Sequence, residues 1–261
     1  MERTLAGKEK IKMRNDYNAV FAKYYDLINT AKNYAFEAQA VLSAIQQFHP
    51  GPGKTLADVG CGTGNFTILF KENGFKACGY DPSGEMISIA KQKYPEIDFF
   101  DRFFEGSDNN KFDIITSLFN VVNSLGNYDN LCAFFDSIAK GMKKDSVFIF
   151  DAWNGIEVFK EAPKVKSKEV QNGDIKVVRT VTPVTNLFEQ WSYHTYEISV
   201  YQKDQLQENA EAILHNYFFT YQEIKRALSD AGLQIVNTFP NKDFGQEIKN
   251  DFIINFVCKL K

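Results

Sequence analysis

The fold is decided by the run Leu56-Ala57-Asp58-Val59-Gly60-Cys61-Gly62-Thr63-Gly64-Asn65. Thr55–Val59 is a short apolar stretch, and His49-Pro50-Gly51-Pro52-Gly53 breaks the chain just before it. A stretch of this length between breakers reads as a buried strand. Glycines at alternate positions directly after a strand let the backbone turn tightly and let a ligand approach with no Cβ in the way. The spacing is G-x-G-x-G; in the dinucleotide fingerprint G-x-G-x-x-G the third glycine would fall at Asn65. Asp58, two residues before the first glycine, is expected to accept hydrogen bonds within the loop.

Working outward, strands and helices alternate. Helix Asn65–Asn73 is closed by Gly74, strand Ala77–Tyr80 follows, then helix Gly84–Lys93 and a short strand Ile97–Phe100. Asp113–Leu118 reads as a strand, Asn130–Met142 as a helix and Val147–Phe150 as a strand. Alternation at this spacing implies an α/β fold, a mostly parallel sheet with helices on both faces. From about Lys164 to Tyr217 the pattern turns β-rich, with Asn172-Gly173 as a hairpin signal, and reads as a small antiparallel insertion. Thr220–Ala231 resumes as a helix, with Thr220 and Glu223 forming a capping box and Gly232 at its stop. Leu233–Phe239 and Phe252–Cys258 are the last strands, an antiparallel pair. Before the loop, residues 16–48 read as helical: Tyr17, Val20, Phe21, Tyr24, Tyr25 and Ile28 recur at helical spacing, and a second helix runs from about Tyr34 to Phe48.

Bulk properties narrow the function classes. At 261 residues the chain fits one large domain or a core with an insertion. A net charge of -3 disfavours a grip on a polyanion, so no nucleic-acid partner is expected. Aromatic residues reach 15%; most must be core, but a few in a site would suit a flat or sulfonium-bearing ligand. Cys61, Cys78, Cys132 and Cys258 are far apart and form no CxxC, and with three histidines they suggest no metal set. Reduced thiols, and a charged Met1–Arg14 without the apolar run of a signal peptide, point to a cytoplasmic protein. No stretch is long and apolar enough to suggest a membrane span.

Asp58-Val59-Gly60-Cys61-Gly62-Thr63-Gly64 resembles the first motif of class I S-adenosylmethionine-dependent methyltransferases. The resemblance covers essentially the whole chain and implies a Rossmann-like, seven-stranded sheet and S-adenosylmethionine as cofactor. Gly79-Tyr80-Asp81-Pro82-Ser83-Gly84-Glu85-Met86 is similar to the family's second motif, in which the acid takes the ribose and the Met lies on adenine. Phe99-Phe100-Asp101-Arg102 resembles the region of the acid near the adenine amine; Lys111–Ile115 resembles the fourth-strand motif and Gly141–Lys144 the turn before the fifth strand. Tyr25-Asp26-Leu27 with Asn33–Ala38 resembles the N-terminal lid of the small-molecule branch that includes amino-sugar N-methyltransferases. Ser117–Leu125 resembles that branch's acceptor-side loop. The sugar enzymes tend to place a Tyr in the lid and a His in the loop; Asn29 and Ser124 stand there instead. The branch is therefore better supported than the sugar.

The layout expected from this reading is a helical lid over 1–50, a cofactor-binding core over 51–155 and 218–261, and a β insertion over 156–217. Cofactor contacts are expected from Asp58, Gly60, Cys61, Gly62, Gly64, Asp81, Pro82, Met86, Asp101, Arg102, Phe119 and Tyr34. Acceptor contacts are expected from Tyr25, Asn29, Ser124, Trp153 and Asn154, the last two at the carboxyl end of the fifth strand, where ligands of open parallel sheets bind. Blander roles compete: Asp81 could cap the next helix, Met86 and the lid tyrosines could be core, and Trp153 could cover the sheet end. His194 and His215 lie near the insertion; His215, just before the return to the core, is the better candidate base for a hydroxyl acceptor. The insertion is expected to wall the acceptor pocket or to pair subunits in a homodimer. An RNA or protein methyltransferase and a non-catalytic cofactor-binding module are the rivals. Base-modifying relatives usually carry Asn/Asp-Pro-Pro-aromatic after strand four, where this chain has Ser117-Leu118-Phe119-Asn120.

Overall fold

A computed structural model describes residues 18–107, 111–240 and 243–261. The expectations at Tyr17 and Met1–Arg14 lie outside the described residues. Among the described residues, eleven strands form two sheets and seven α-helices accompany them. The central sheet contains β1 (Thr55–Val59), β2 (Lys76–Asp81), β3 (Asp98–Asp101), β4 (Phe112–Ser117), β5 (Met142–Trp153), β10 (Leu233–Pro240) and β11 (Ile253–Leu260), in the order β10-β11-β5-β4-β1-β2-β3. β11 runs antiparallel to both neighbours, and the β1 through β5 pairings are parallel. The strand order reverses between β1 and β4, which opens a crevice at their carboxyl ends.

Alternation along β5 explains why both faces are covered. Phe148 and Phe150 join Phe135 and Ile138 of α5 (Tyr128–Gly141) and Ile224 and Leu228 of α7 (Tyr221–Asp230). Val147 and Ile149 face the other way, onto Val41, Ala44 and Ile45 of α2 (Tyr34–Phe48) and Phe66 and Phe70 of α3 (Asn65–Glu72). The expected turn at Gly141–Lys144 is absent, because α5 passes directly into β5. Met142 already pairs with Phe112, and the Lys143 amide donates to the Ser146 hydroxyl across a register shift.

The insertion is a four-stranded antiparallel meander of β6 (Lys166–Asn172), β7 (Ile175–Asn186), β8 (Trp191–Gln202) and β9 (Gln205–Tyr217). Asn172 pairs with Ile175, so the first hairpin turns at Gly173-Asp174, one residue later than the sequence signal. A short helix, α6 (Gly155–Lys160), precedes the sheet where the sequence suggested β structure from 156. One face of the meander, with Val177, Ile198, Val200, Ala212 and Leu214, buries α1 (Ala19–Ile28) through Phe21, Tyr24 and Ile28. Asn18 donates to the Glu211 carbonyl and Tyr24 to Glu208, so the insertion holds α1 in place over the core.

Candidate active site

The cradle is made by backbone geometry. Gly60, Gly62 and Gly64 have φ of 76°, 54° and 82°, a region where a Cβ is penalised. The amides of Gly60 and Cys61 both donate to the Tyr80 carbonyl, tying the loop to the end of β2. Gly64 then caps α3, and the amide of Gly62 donates to Asp81 Oδ2 at 2.9 Å. Asp81 Oδ1 accepts from the Ser83 amide, so the carboxylate lies at the rim of the loop. Capping of α4 (Gly84–Lys93) falls to the Ser83 side chain, not to Asp81. Burial raises the Asp81 pKa above its ordinary value, against the pull of the two amides.

Several expected cofactor residues support the cradle from behind. Asp58 is buried and accepts from the hydroxyls of Thr67 (2.7 Å) and Thr116 (3.0 Å), not from the glycine loop. It joins β1 to α3 and β4, and burial lifts its pKa to about 6 despite those two bonds. Cys61 contributes its backbone, while its sulfur packs with Ile87 and Phe99. A Cβ on Gly79 would meet that sulfur at 2.6 Å, so Gly79 makes room for it. Met86 is in the core cluster with Phe21, Tyr24 and Ile28. Asp101 is exposed beside Gly84 and pairs in register with Asp81, with Pro82 half-buried between the strand and α4. The Arg102 guanidinium lies over the rings of Phe100 (5.3 Å) and Tyr80 (5.8 Å).

Helix α1, in the segment expected to form a lid, is bonded to the glycine loop through Asp26. Asp26 of α1 accepts from Thr63 Oγ1 (2.6 Å), Asn65 Nδ2 (2.8 Å) and Lys93 Nζ (2.7 Å). Burial pushes its pKa up, but the three donors together hold it below the ordinary carboxylate value. Beside this latch stand the rings of Tyr25, Phe119, Tyr34 and Phe66, each 5.2–6.4 Å from the next. The Lys32 ammonium lies 4.1 Å from the centre of Phe119 and is ion-paired with Glu37. Burial raises the Tyr34 phenol to about 12, so it stays protonated at neutral pH.

Three of the residues expected to contact the acceptor bond to backbone groups. Asn29 donates to the Tyr25 carbonyl and ends α1; Ser124 donates to the Val121 carbonyl inside the 3-10 turn Val121–Ser124. Asn154 caps α6 and donates to the Asp251 carbonyl. Trp153 is largely buried, 5.6 Å from His194 and 5.4 Å from Phe252. Asn123, which sequence reading passed over, accepts from the Trp153 amide and donates to the Tyr217 carbonyl, joining the acceptor loop to β5 and β9. The two histidines diverge. His194 opposes Leu214 on the lid-facing side of the meander, bonds Ser192 and is pushed down to about 4 by burial. His215 opposes Tyr193, whose ring is 4.1 Å away, so alternation places it on the other face. His215, the expected base, thus stands on the face of the meander opposite Leu214 and α1.

Comparison with known proteins extends this geometry. The methyltransferase domain family matches residues 34–238. Demethylmenaquinone methyltransferase of Chlorobaculum tepidum is 31% identical over 144 residues, 52% of this chain and 54% of that protein. A Streptomyces fradiae dTDP-3-amino-3,6-dideoxy-alpha-D-glucopyranose N,N-dimethyltransferase is 25% identical over 140 residues, 53% of this chain and 55% of that protein. The chain thus spans about half the length of the curated relatives it matches. Streptomyces venezuelae DesVI shares the fold with a TM-score of 0.78 at 20% identity, over 92% of this chain and 98% of its own. A methyltransferase from Clostridium acetobutylicum gives 0.77 at 18% identity, over 94% and 99%. Because the family match begins with α2 and runs through most of β10, taking in the whole cradle, this chain belongs to the methyltransferase domain family.

Proposed function

We propose that the protein transfers methyl from S-adenosylmethionine to a nitrogen or oxygen of a small molecule, with nucleotide-linked amino sugars the first class to test. The observation that carries the small-molecule reading is the latch. Asp26 bonds the lid helix directly to Thr63 and Asn65 of the cradle, an arrangement that encloses a compact substrate and obstructs a long RNA or a folded protein. Two Streptomyces relatives are named as N,N-dimethyltransferases of dTDP-linked amino sugars, which supports the substrate class.

The residues present fit the donor. A Cβ built on Gly62 meets nothing within 4 Å, which leaves the approach to the loop open. Each Asp81 oxygen takes one amide and retains a lone pair for a ribose hydroxyl. When bound, the donor supplies an electrophilic methyl on a cationic sulfur that leaves neutral. Little charge stabilisation of the leaving group is then required, and the protein's share is orientation, worth several kcal/mol. The Tyr34 and Phe119 faces suit a cation and already take the Lys32 ammonium. An amine acceptor must arrive with its lone pair free, whereas a hydroxyl needs a base.

Labelled donor offered to total RNA, to protein lysate and to a metabolite extract tests the reading. Label is expected in the metabolite fraction. Robust labelling of either polymer with none in metabolites overturns the small-molecule acceptor. Donor binding without turnover in any fraction makes the chain a binding module.

A further inference from the structure

The loop after β4 adopts a conformation that its own residues disfavour. Phe119 and Asn120 have φ of 70° and 63°, consecutive left-handed residues with no glycine. Asn tolerates that region through local polar contacts, but a bulky Phe does not. Such conformations persist only where the surroundings over-determine them, and they collect at functional sites. Beyond the contacts of the Phe119 ring, one side chain takes both amides. Asp151, buried near the end of β5, accepts from the Phe119 amide through Oδ2 (2.8 Å) and from the Asn120 amide through Oδ1 (2.5 Å). Bonds from amides to an ionised acceptor are the strong ones.

This segment touches every part of the cleft. The Phe119 ring meets Tyr25 and Tyr34 of the lid. The Asn120 carbonyl accepts from Asn123, which joins the loop to β5 and β9. Val121 fills the space that a Cβ on Gly60 would take, at 2.4 Å, so the loop rests on the donor cradle.

We propose that Asp151 is a positioning residue for methyl transfer: by holding the amides of Phe119 and Asn120 it fixes the ring and the following turn against the cradle. It acts through the loop and touches neither the donor nor the acceptor. The inference rests on the reading of this cleft as the methyl-transfer site.

The test uses Asp151→Asn, which keeps the shape but turns an amide group toward one of the two N–H donors. Wild-type turnover of a labelled metabolite is established first, and its failure counts against the proposed function rather than against Asp151. With turnover in hand, Asp151→Asn is expected to lower kcat about tenfold or more while the donor Kd changes less than threefold. Amide hydrogen exchange in the unliganded protein is expected to show lost protection at Phe119 and Asn120, with neighbouring strands unchanged. Adding Asn120→Gly to Asp151→Asn is expected to recover a third or more of the lost rate, since glycine adopts the left-handed turn unaided. A purely structural acid would gain nothing from that glycine. A kcat within twofold of wild type, unchanged exchange at both amides, or no recovery in the double variant overturns the proposal. Should Asp151→Asn not fold, the same two protection factors in wild type are followed as pH falls through 6. Burial raises Asp151 to about 6 against the pull of both amides, and its charged neighbours are Lys32 from the lid and Glu37 from α2. Protection is expected to fall selectively at those amides, and flat profiles refute the clamp.

Discussion

Two loops face each other across the cleft, and both turn through left-handed residues after a parallel strand. The loop after β1 does so with Gly60, Gly62 and Gly64; the loop after β4 does so with Phe119 and Asn120. In the first, the conformation is intrinsic to the residue type and remains available in the unfolded chain. In the second it is imposed by Asp151, more than thirty positions away. The donor side is thus locally encoded, and the acceptor side is assembled from distant parts.

The largest effect should come from removing the intrinsic freedom. In Gly60→Ala the new Cβ meets Val121 at 2.4 Å in a backbone region hostile to L-residues. Strain and overpacking together should destabilise the fold by about 2–4 kcal/mol. Gly62→Ala has the same backbone problem but no contact within 4 Å, so it should fold more nearly like wild type, by about 1–2 kcal/mol less stable, and still lose donor affinity. Urea unfolding and donor calorimetry on the pair check this, and equal destabilisation would remove Val121 from the account.

Next comes the rim of the cradle. Asp81→Ala removes the acceptor of the Gly62 and Ser83 amides and the proposed acceptor for ribose hydroxyls. Hydrogen bonds to a charged group are worth about 1.5–3 kcal/mol each, so the donor Kd should rise at least tenfold. An unchanged Kd by calorimetry takes Asp81 out of the donor site.

Stability against pH separates the two sides by their buried acids. Asp58 beneath the cradle and Asp151 beneath the acceptor loop are both raised from 3.8 to about 6, mainly by burial. Each keeps its proton in the fold at a pH where the unfolded chain has released it. Their stabilisation is therefore full below about pH 4 and lost as pH rises through 6, on the order of 2 kcal/mol per acid. Asp26 has the opposite sign, its pKa lowered, so the latch weakens only when pH falls below the ordinary carboxylate value. His194, its pKa lowered from 6.5 to about 4, works against the two raised acids between those values, so unfolding free energies from pH 4 to 8 should decline by less than the acids alone imply. Asp58→Asn should make that decline shallower by about 2 kcal/mol, and an unaltered slope would show that Asp58 does not titrate there.

The same division explains what could be read in advance. Strand–helix alternation, the glycine spacing and the acid at Asp81 are local patterns, and the sheet of seven strands follows from them. Asp26, Lys93, Asn123 and Asp151 carried no local signal, because each gains its meaning from a partner brought near by folding. Asn29, Ser124 and Asn154 have a local role that their type also explains: short polar side chains near element ends bond nearby backbone, here Tyr25, Val121 and Ile156. Asp58 is expected to bond within the glycine loop, but its partners are Thr67 and Thr116, from the next helix and a neighbouring strand.

The smallest effect concerns the histidine that sequence position favours. His215 sits on β9 opposite Tyr193, on the face away from Leu214 and the lid. Burial lowers its pKa, so it is neutral at physiological pH and chemically able to take a proton. Ability is not placement, and a general base must reach the proton it removes. With its ring against Tyr193, His215→Ala should change kcat by less than about twofold under saturating donor, and the remaining rate should not climb at high pH. That outcome fits an amine acceptor oriented by the lid, and Tyr34→Phe in the aromatic row should then cost more than His215→Ala. If instead His215→Ala loses tenfold and alkaline buffer restores it, the acceptor is a hydroxyl and β9 delivers its base to the cleft after all. The comparison would sharpen accordingly, because the acceptor side would then own a catalytic group as well as a shape.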